Sequence, residues 1–137
     1  MINDNIGINY LKSCGFEVKL GKYTLSKKGY LSGEDSKRAY DLNEAFRDES
    51  IKGIFCSRGG YGSIRLLDLI DYDLIRENPK IFVGFSDITA LMNSIFAKTG
   101  LITFYGTQVE QDCKEKIDKV AFESLFKIIL HNSSSYR

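Results

Sequence analysis

The segment Lys80-Ile81-Phe82-Val83-Gly84-Phe85-Ser86-Asp87-Ile88-Thr89-Ala90-Leu91 limits the fold more than any other part of the chain. A short apolar stretch runs into a glycine, then a serine, then residues that suit a helix. A strand that is apolar on every residue does not fit a sheet with one wet face. It fits a strand covered on both sides, as in a parallel sheet flanked by helices. The order also places the Ser86 hydroxyl at the carboxyl end of a strand and the amino end of a helix. Two roles suit that position. A turn of this kind can present a nucleophile with backbone N–H groups beside it, and a serine there can equally cap the helix.

The rest of the chain repeats the alternation of strand and helix. Residues 3–14 put Ile6, Tyr10, Leu11 and Cys14 on one helical face, with Gly15 as the stop. Phe16, Val18 and Leu20 alternate and predict a strand. A long Lys-, Ser- and Gly-rich connection spans 21–33, either a functional loop or a disordered excursion. Ser32-Gly33-Glu34-Asp35 resembles a capping start for a helix bearing Ala39, Leu42 and Phe46. Apolar strands are predicted at 53–56, 81–83 and 101–105. Between them fall helices at 63–70, 71–78 and 87–98, with Pro79 and Gly100 as terminators. The last helix, 114–131, is expected to bury Ile117, Val120, Ala121, Leu125, Ile128 and Ile129. The predicted class is α/β, a parallel sheet with helices on both faces. Ligands of such sheets sit at the carboxyl ends of the strands. The glycine-rich turn Arg58-Gly59-Gly60-Tyr61-Gly62 and the Ser86 turn both emerge there, so they could face each other across one site.

Composition sets the outer bounds. A length of 137 residues with 43% hydrophobic and 27% charged residues suits one soluble domain with a core. A formal net charge of +1 argues against electrostatic capture of nucleic acid or anionic membrane. No apolar run approaches the roughly 20 residues that span a bilayer. The first residues lack the basic and apolar regions of a secretory signal. Cys14, Cys56 and Cys113 form no C-x-x-C pair, so neither a disulfide framework nor a zinc site is indicated, and a reducing cytoplasm is the natural setting.

Each candidate residue also has an ordinary reading. The glycine turn could leave N–H groups facing an anion, or simply reverse the chain tightly; it has neither a P-loop nor a dinucleotide spacing. The Asp87 side chain suits the first turn of a helix, and its backbone N–H stands beside Ser86. His131, the only histidine, suits a helix carboxyl end. Asp68, Asp71, Asp73 and Glu77 read as a solvated stretch without the His or Cys of a metal site.

Three segments together resemble the LD-carboxypeptidase family, serine peptidases that include the microcin C immunity peptidases. They are Gly53-Ile54-Phe55-Cys56-Ser57-Arg58-Gly59-Gly60-Tyr61-Gly62-Ser63-Ile64-Arg65-Leu66-Leu67, then 71–80, then Gly84-Phe85-Ser86-Asp87-Ile88-Thr89-Ala90-Leu91. Gly29–Gly33 and Lys98–Phe104 follow the same pattern, and the likeness runs from about Leu11 to about Gly106. It implies a flavodoxin-like fold of the class I glutamine amidotransferase type. It implies Ser86 as nucleophile, with an oxyanion hole from the backbone N–H of Asp87 and of Gly59 or Gly60. The implied reaction removes a terminal D-amino acid from murein tetrapeptide; the immunity members hydrolyse a peptidyl-nucleotide. No metal or organic cofactor is implied. A homodimer is compatible with the family, though the sequence carries no sign of one.

The departures are specific. The family's Glu and His belong to a second domain that nothing here matches, and its first strand has no counterpart. Tyr105 and Thr107 stand where many members have His and Pro. Residues 1–131 are therefore expected to form the amino-terminal nucleophile domain, and 132–137 to begin a linker. Alone, such a chain is expected to be inactive or nearly so. The competing expectation is a non-catalytic or degenerate fragment that binds peptide or serves assembly; a nucleotide-binding domain built on the glycine turn is a third.

Overall fold

The computed structural model describes residues 6–109 and 119–130. Three strands, β1 (Gly53–Phe55), β2 (Ile81–Gly84) and β3 (Phe104–Tyr105), form one parallel sheet in chain order. Gly53 pairs opposite Ile81 and Val83 opposite Phe104. Parallel neighbours need long crossovers. A 3-10 helix at Ser63–Leu69 and helix α3 (Tyr72–Glu77) join β1 to β2. A 3-10 turn at Ser86–Ile88 and helix α4 (Thr89–Thr99) join β2 to β3. Helices α1 (Ile6–Ser13) and α2 (Asp35–Arg47) precede the sheet, and α5 (Lys119–Leu130) follows it.

Alternation along each strand sorts the core into two clusters. Ile54, Cys56 and Phe82 face a cluster containing Phe46 of α2, Ile75 of α3 and Leu91 and Ile95 of α4. Phe55 faces the other cluster, with Leu11 of α1 and Phe122 of α5. Both faces are thus covered, which is why β1 and β2 are apolar throughout. The expected α/β architecture holds.

Several local expectations do not. Residues 16–20 form no strand and pair with none among the described residues. Phe16 and Val18 do pack on the second cluster, so the alternation reported burial rather than a ladder. Ser32 does not cap α2; Glu34 occupies that position and makes no side-chain capping bond. Within the connection at 21–33, the Tyr23 amide donates to Asp41 (2.7 Å) and Lys28 forms a bridge with Leu31. On α5 the buried residues are Phe122 and Leu125, whereas Val120 and Ile128 are exposed. Ile117 and His131 lie outside the described residues.

At the start of β2, Lys80 is buried. Its ammonium donates to the carbonyls of Asp48 and Ile51, the latter at 2.8 Å. This ties the strand to the segment that follows α2.

Candidate active site

Ser86 is exposed, and its φ of 59° is the one positive value on a non-glycine residue among the described residues. Left-handed backbone costs an L-residue about 1–2 kcal/mol, so the surrounding structure must impose it. Two contacts explain how. A Cβ built on Gly84 would lie 2.3 Å from Ile88 Cγ2, so only glycine lets the following turn fold down onto the end of β2. The Thr89 hydroxyl also donates to the Ser86 carbonyl (2.6 Å). Ser86 begins the 3-10 turn, and the capping position belongs to Phe85. The serine hydroxyl makes no hydrogen bond with the described residues, so the helix-cap reading of Ser86 is not what the structure contains.

The glycine turn lies against this serine. A Cβ on Gly59 would sit 3.0 Å from Ser86 Cβ, 3.1 Å from the Phe85 carbonyl oxygen and 3.2 Å from Gln108 Nε2. Gly59 therefore owes its identity to close approach, not to the turn alone. Gly60 follows with a φ of 88° and is exposed. The two carboxyl-edge turns meet, as their shared edge of the parallel sheet allowed. The Asp87 backbone amide is the next N–H after Ser86.

Other side chains hold the turns together, and pattern reading missed them. Gln108 is fully buried and donates from Nε2 to the Phe85 carbonyl (2.9 Å). Its position, just past the predicted strand 101–105, was the available signal: a polar residue at the functional edge. The Asp87 carboxylate accepts the Ser63 amide (2.8 Å), so it joins two turns rather than facing the helix it precedes. Exposed aromatic pairs flank the edge, with ring centroids 4.9 Å apart for Phe85 and Tyr105 and 5.7 Å for Tyr30 and Tyr61.

Cys56 also stands at this edge, directly after β1. Its thiol packs against the first core cluster, and burial pushes its pKa up to about 12. It is therefore a protonated core group, not a nucleophile. Asp71 caps α3 by accepting the Leu74 amide (2.9 Å), and Asp73 pairs with Arg76. Among the described residues no three metal-ligating side chains converge. His131 lies outside them, so the structure assigns it no place. No helix among the described residues is long and apolar enough to cross a membrane.

Residues 3–106 match the LD-carboxypeptidase N-terminal domain. The chain belongs to the LD-carboxypeptidase family. It is 43% identical over 122 residues to a probable murein peptide carboxypeptidase of Bacillus subtilis, covering 86% of this chain and 38% of that protein. It is 40% identical over 130 residues to the microcin C7 self-immunity protein MccF of Escherichia coli, covering 93% and 38%. Among solved structures, MccF in complex with glutamyl sulfamoyl guanosine superposes with a TM-score of 0.89 at 39% identity, over 93% of this chain and 39% of that one. A muramoyltetrapeptide carboxypeptidase from Oxalobacter formigenes gives 0.81 at 26% identity, over 91% and 42%. The chain thus spans about two fifths of the length of the relatives it matches. The matched segment begins at residue 3, upstream of the Leu11 start read from the motifs, and so takes in α1.

Proposed function

We propose that this chain is the nucleophile-bearing part of a cytoplasmic serine-type LD-carboxypeptidase. Ser86 Oγ attacks the carbonyl of the amide that links an L-centre to a terminal D-amino acid. As the C–O bond forms, the hydroxyl proton passes to a base, and the carbonyl oxygen becomes an oxyanion. The N–H groups of Asp87 and of Gly59 or Gly60 receive that charge. Collapse of the tetrahedral intermediate breaks the C–N bond, and the base returns its proton to the leaving amine. Water then releases the acyl group by the same route. The family resemblance supplies a Glu-oriented His as that base, from the second domain that nothing in this chain matches.

The observation that carries this reading is a strained, exposed serine whose hydroxyl makes no hydrogen bond with the described residues, packed against a glycine of the neighbouring turn. Murein tetrapeptide is the substrate favoured by the carboxypeptidase relatives. A peptidyl-nucleotide is the second reading, favoured by the likeness to MccF bound to aminoacyl sulfamoyl nucleosides. A fluorophosphonate probe on the full-length protein is expected to label Ser86, and Ser86→Ala to abolish labelling together with turnover. Release of D-alanine from murein tetrapeptide against cleavage of an aminoacyl sulfamoyl adenosine separates the two substrates. A full-length protein that labels elsewhere, or cleaves either substrate with alanine at position 86, overturns the assignment.

A further inference from the structure

Contact at Gly59 does not by itself aim an amide. The turn has left-handed backbone at Gly60 and Gly62, and glycine loops have many alternatives to such a path. One peptide in this structure removes that freedom. The Gly62–Ser63 peptide is held at both poles: its carbonyl accepts from Arg38 Nη2 (3.2 Å), and its amide donates to Asp87 Oδ2 (2.8 Å). Both bonds are charge-assisted, the stronger class of hydrogen bond. Arg38 is in turn fixed by Asp35 (2.5 Å), which also accepts from Arg65 (2.7 Å). The Arg38 side chain is only 14% exposed, and Ser63 is buried. A Cβ on Gly62 would meet Leu31 Cδ2 at 2.8 Å, so the peptide is enclosed from a third side.

Asp87 is the residue after Ser86, so one jaw of this clamp is part of the serine turn itself. The other jaw stands on α2. Between the clamped peptide and Gly59 lie only Gly60 and Tyr61. We propose that Asp87 and Arg38 are positioning residues. Acting through the Gly62–Ser63 peptide, they hold the Gly59 and Gly60 amides beside Ser86. This rests on the reading of Ser86 as nucleophile, and it gives the Asp87 side chain a task separate from that of its backbone N–H. Oxyanion donors help only when they are aimed before the charge develops, and the clamp supplies that aim.

A merely structural role for Asp87, capping the 3-10 helix at Ser63, would lower stability and leave reactivity per folded molecule unchanged. Two measurements separate the roles. The first is phosphonylation of the full-length protein, in which the Ser86 oxygen bonds to phosphorus as fluoride and the hydroxyl proton leave. Asp87→Ala and Arg38→Met are each expected to slow the step at saturating reagent by tenfold or more, with half-saturation unchanged. Asp87→Asn keeps an acceptor oxygen and is expected to recover part of the rate. The second is amide exchange. In Asp87→Ala the Ser63 amide is expected to exchange at least tenfold faster while Val83 stays protected, with resonance shifts confined to 58–63 and 86–88. Full phosphonylation rates in both variants overturn the proposal. So does exchange that rises equally at Val83, which would mean general loosening. A wild type that never labels refutes Ser86 as nucleophile, and Ser63 exchange then still decides whether the clamp exists.

Discussion

The two ends of β2 carry side chains of opposite fate. At its start, Lys80 is buried and its ammonium is bound to two carbonyls. Just past its end, Ser86 is exposed, its backbone is left-handed and its hydroxyl makes no hydrogen bond with the described residues. Both residues carry polar side chains that border an apolar strand. Only the second keeps its polar atom available. The lysine closes a gap between strand and helix, where its charge satisfies backbone acceptors that would otherwise be buried without donors. The serine side chain satisfies no such acceptor, and its strained backbone is imposed by the turn around it. Strain held at a polar residue on the ligand-binding edge of a parallel sheet is a mark of function.

The comparison is broken most directly by removing the lysine's head group. Lys80→Met keeps the apolar stem and deletes both hydrogen bonds, leaving the Asp48 and Ile51 carbonyls facing an apolar group. The expected loss is about 2 kcal/mol, read as a lower urea midpoint with unchanged slope. Burial lowers the Lys80 pKa, so its charge is held at some disadvantage, which keeps the expected loss below that of breaking a fully buried ion pair. A midpoint identical to wild type would mean that water serves those carbonyls as well as the lysine does.

The opposite sign is expected at Ser86. Ser86→Gly removes the Cβ that makes φ 59° unfavourable, and it is expected to stabilise the fold by roughly 0.5–1 kcal/mol after the extra freedom of glycine in the unfolded chain is counted. Ser86→Ala retains the strained Cβ and is expected to match wild type in stability. A glycine variant no more stable than the alanine variant would show that the turn is relaxed, and would remove the strain argument.

Local pattern and long-range contact explain what was legible beforehand. Gly84, Ser86 and the glycine turn stood out because their signals lie within a few residues: apolar run, glycine, hydroxyl, helix. The two-sided burial of β1 and β2 was legible for the same reason. Phe16–Leu20 failed because a ladder depends on a partner that alternation cannot reveal. The buried face of α5 differs from the expected one because Phe122 and Phe126, in tilted contact with each other, meet the rings of Tyr10 and Phe16 respectively and outweigh the smaller Val120 and Ile128. Gln108, Arg38 and the Asp87 carboxylate act on partners 23 or 24 residues away, a range at which no motif speaks.

The smallest expected effect concerns the base of the Arg38 jaw. Hydrogen bonds from Arg65 and then Arg38 lower the Asp35 pKa to about 2. An aspartate in the unfolded chain titrates near 3.9. Between those values the unfolded chain binds more protons than the folded one, so stability falls as pH falls. The Asp35 contribution is therefore complete above about pH 4 and is lost as pH drops towards 2. Asp35→Asn should lower the urea midpoint modestly at pH 6, because the pairs are near the surface and water screens them. The gap to wild type should narrow as both are taken to pH 2.5. A gap that stays constant from pH 6 to 2.5 would mean that Asp35 acts through packing and not through its charge. The Arg38 jaw would then be held by its burial against Gly62 alone.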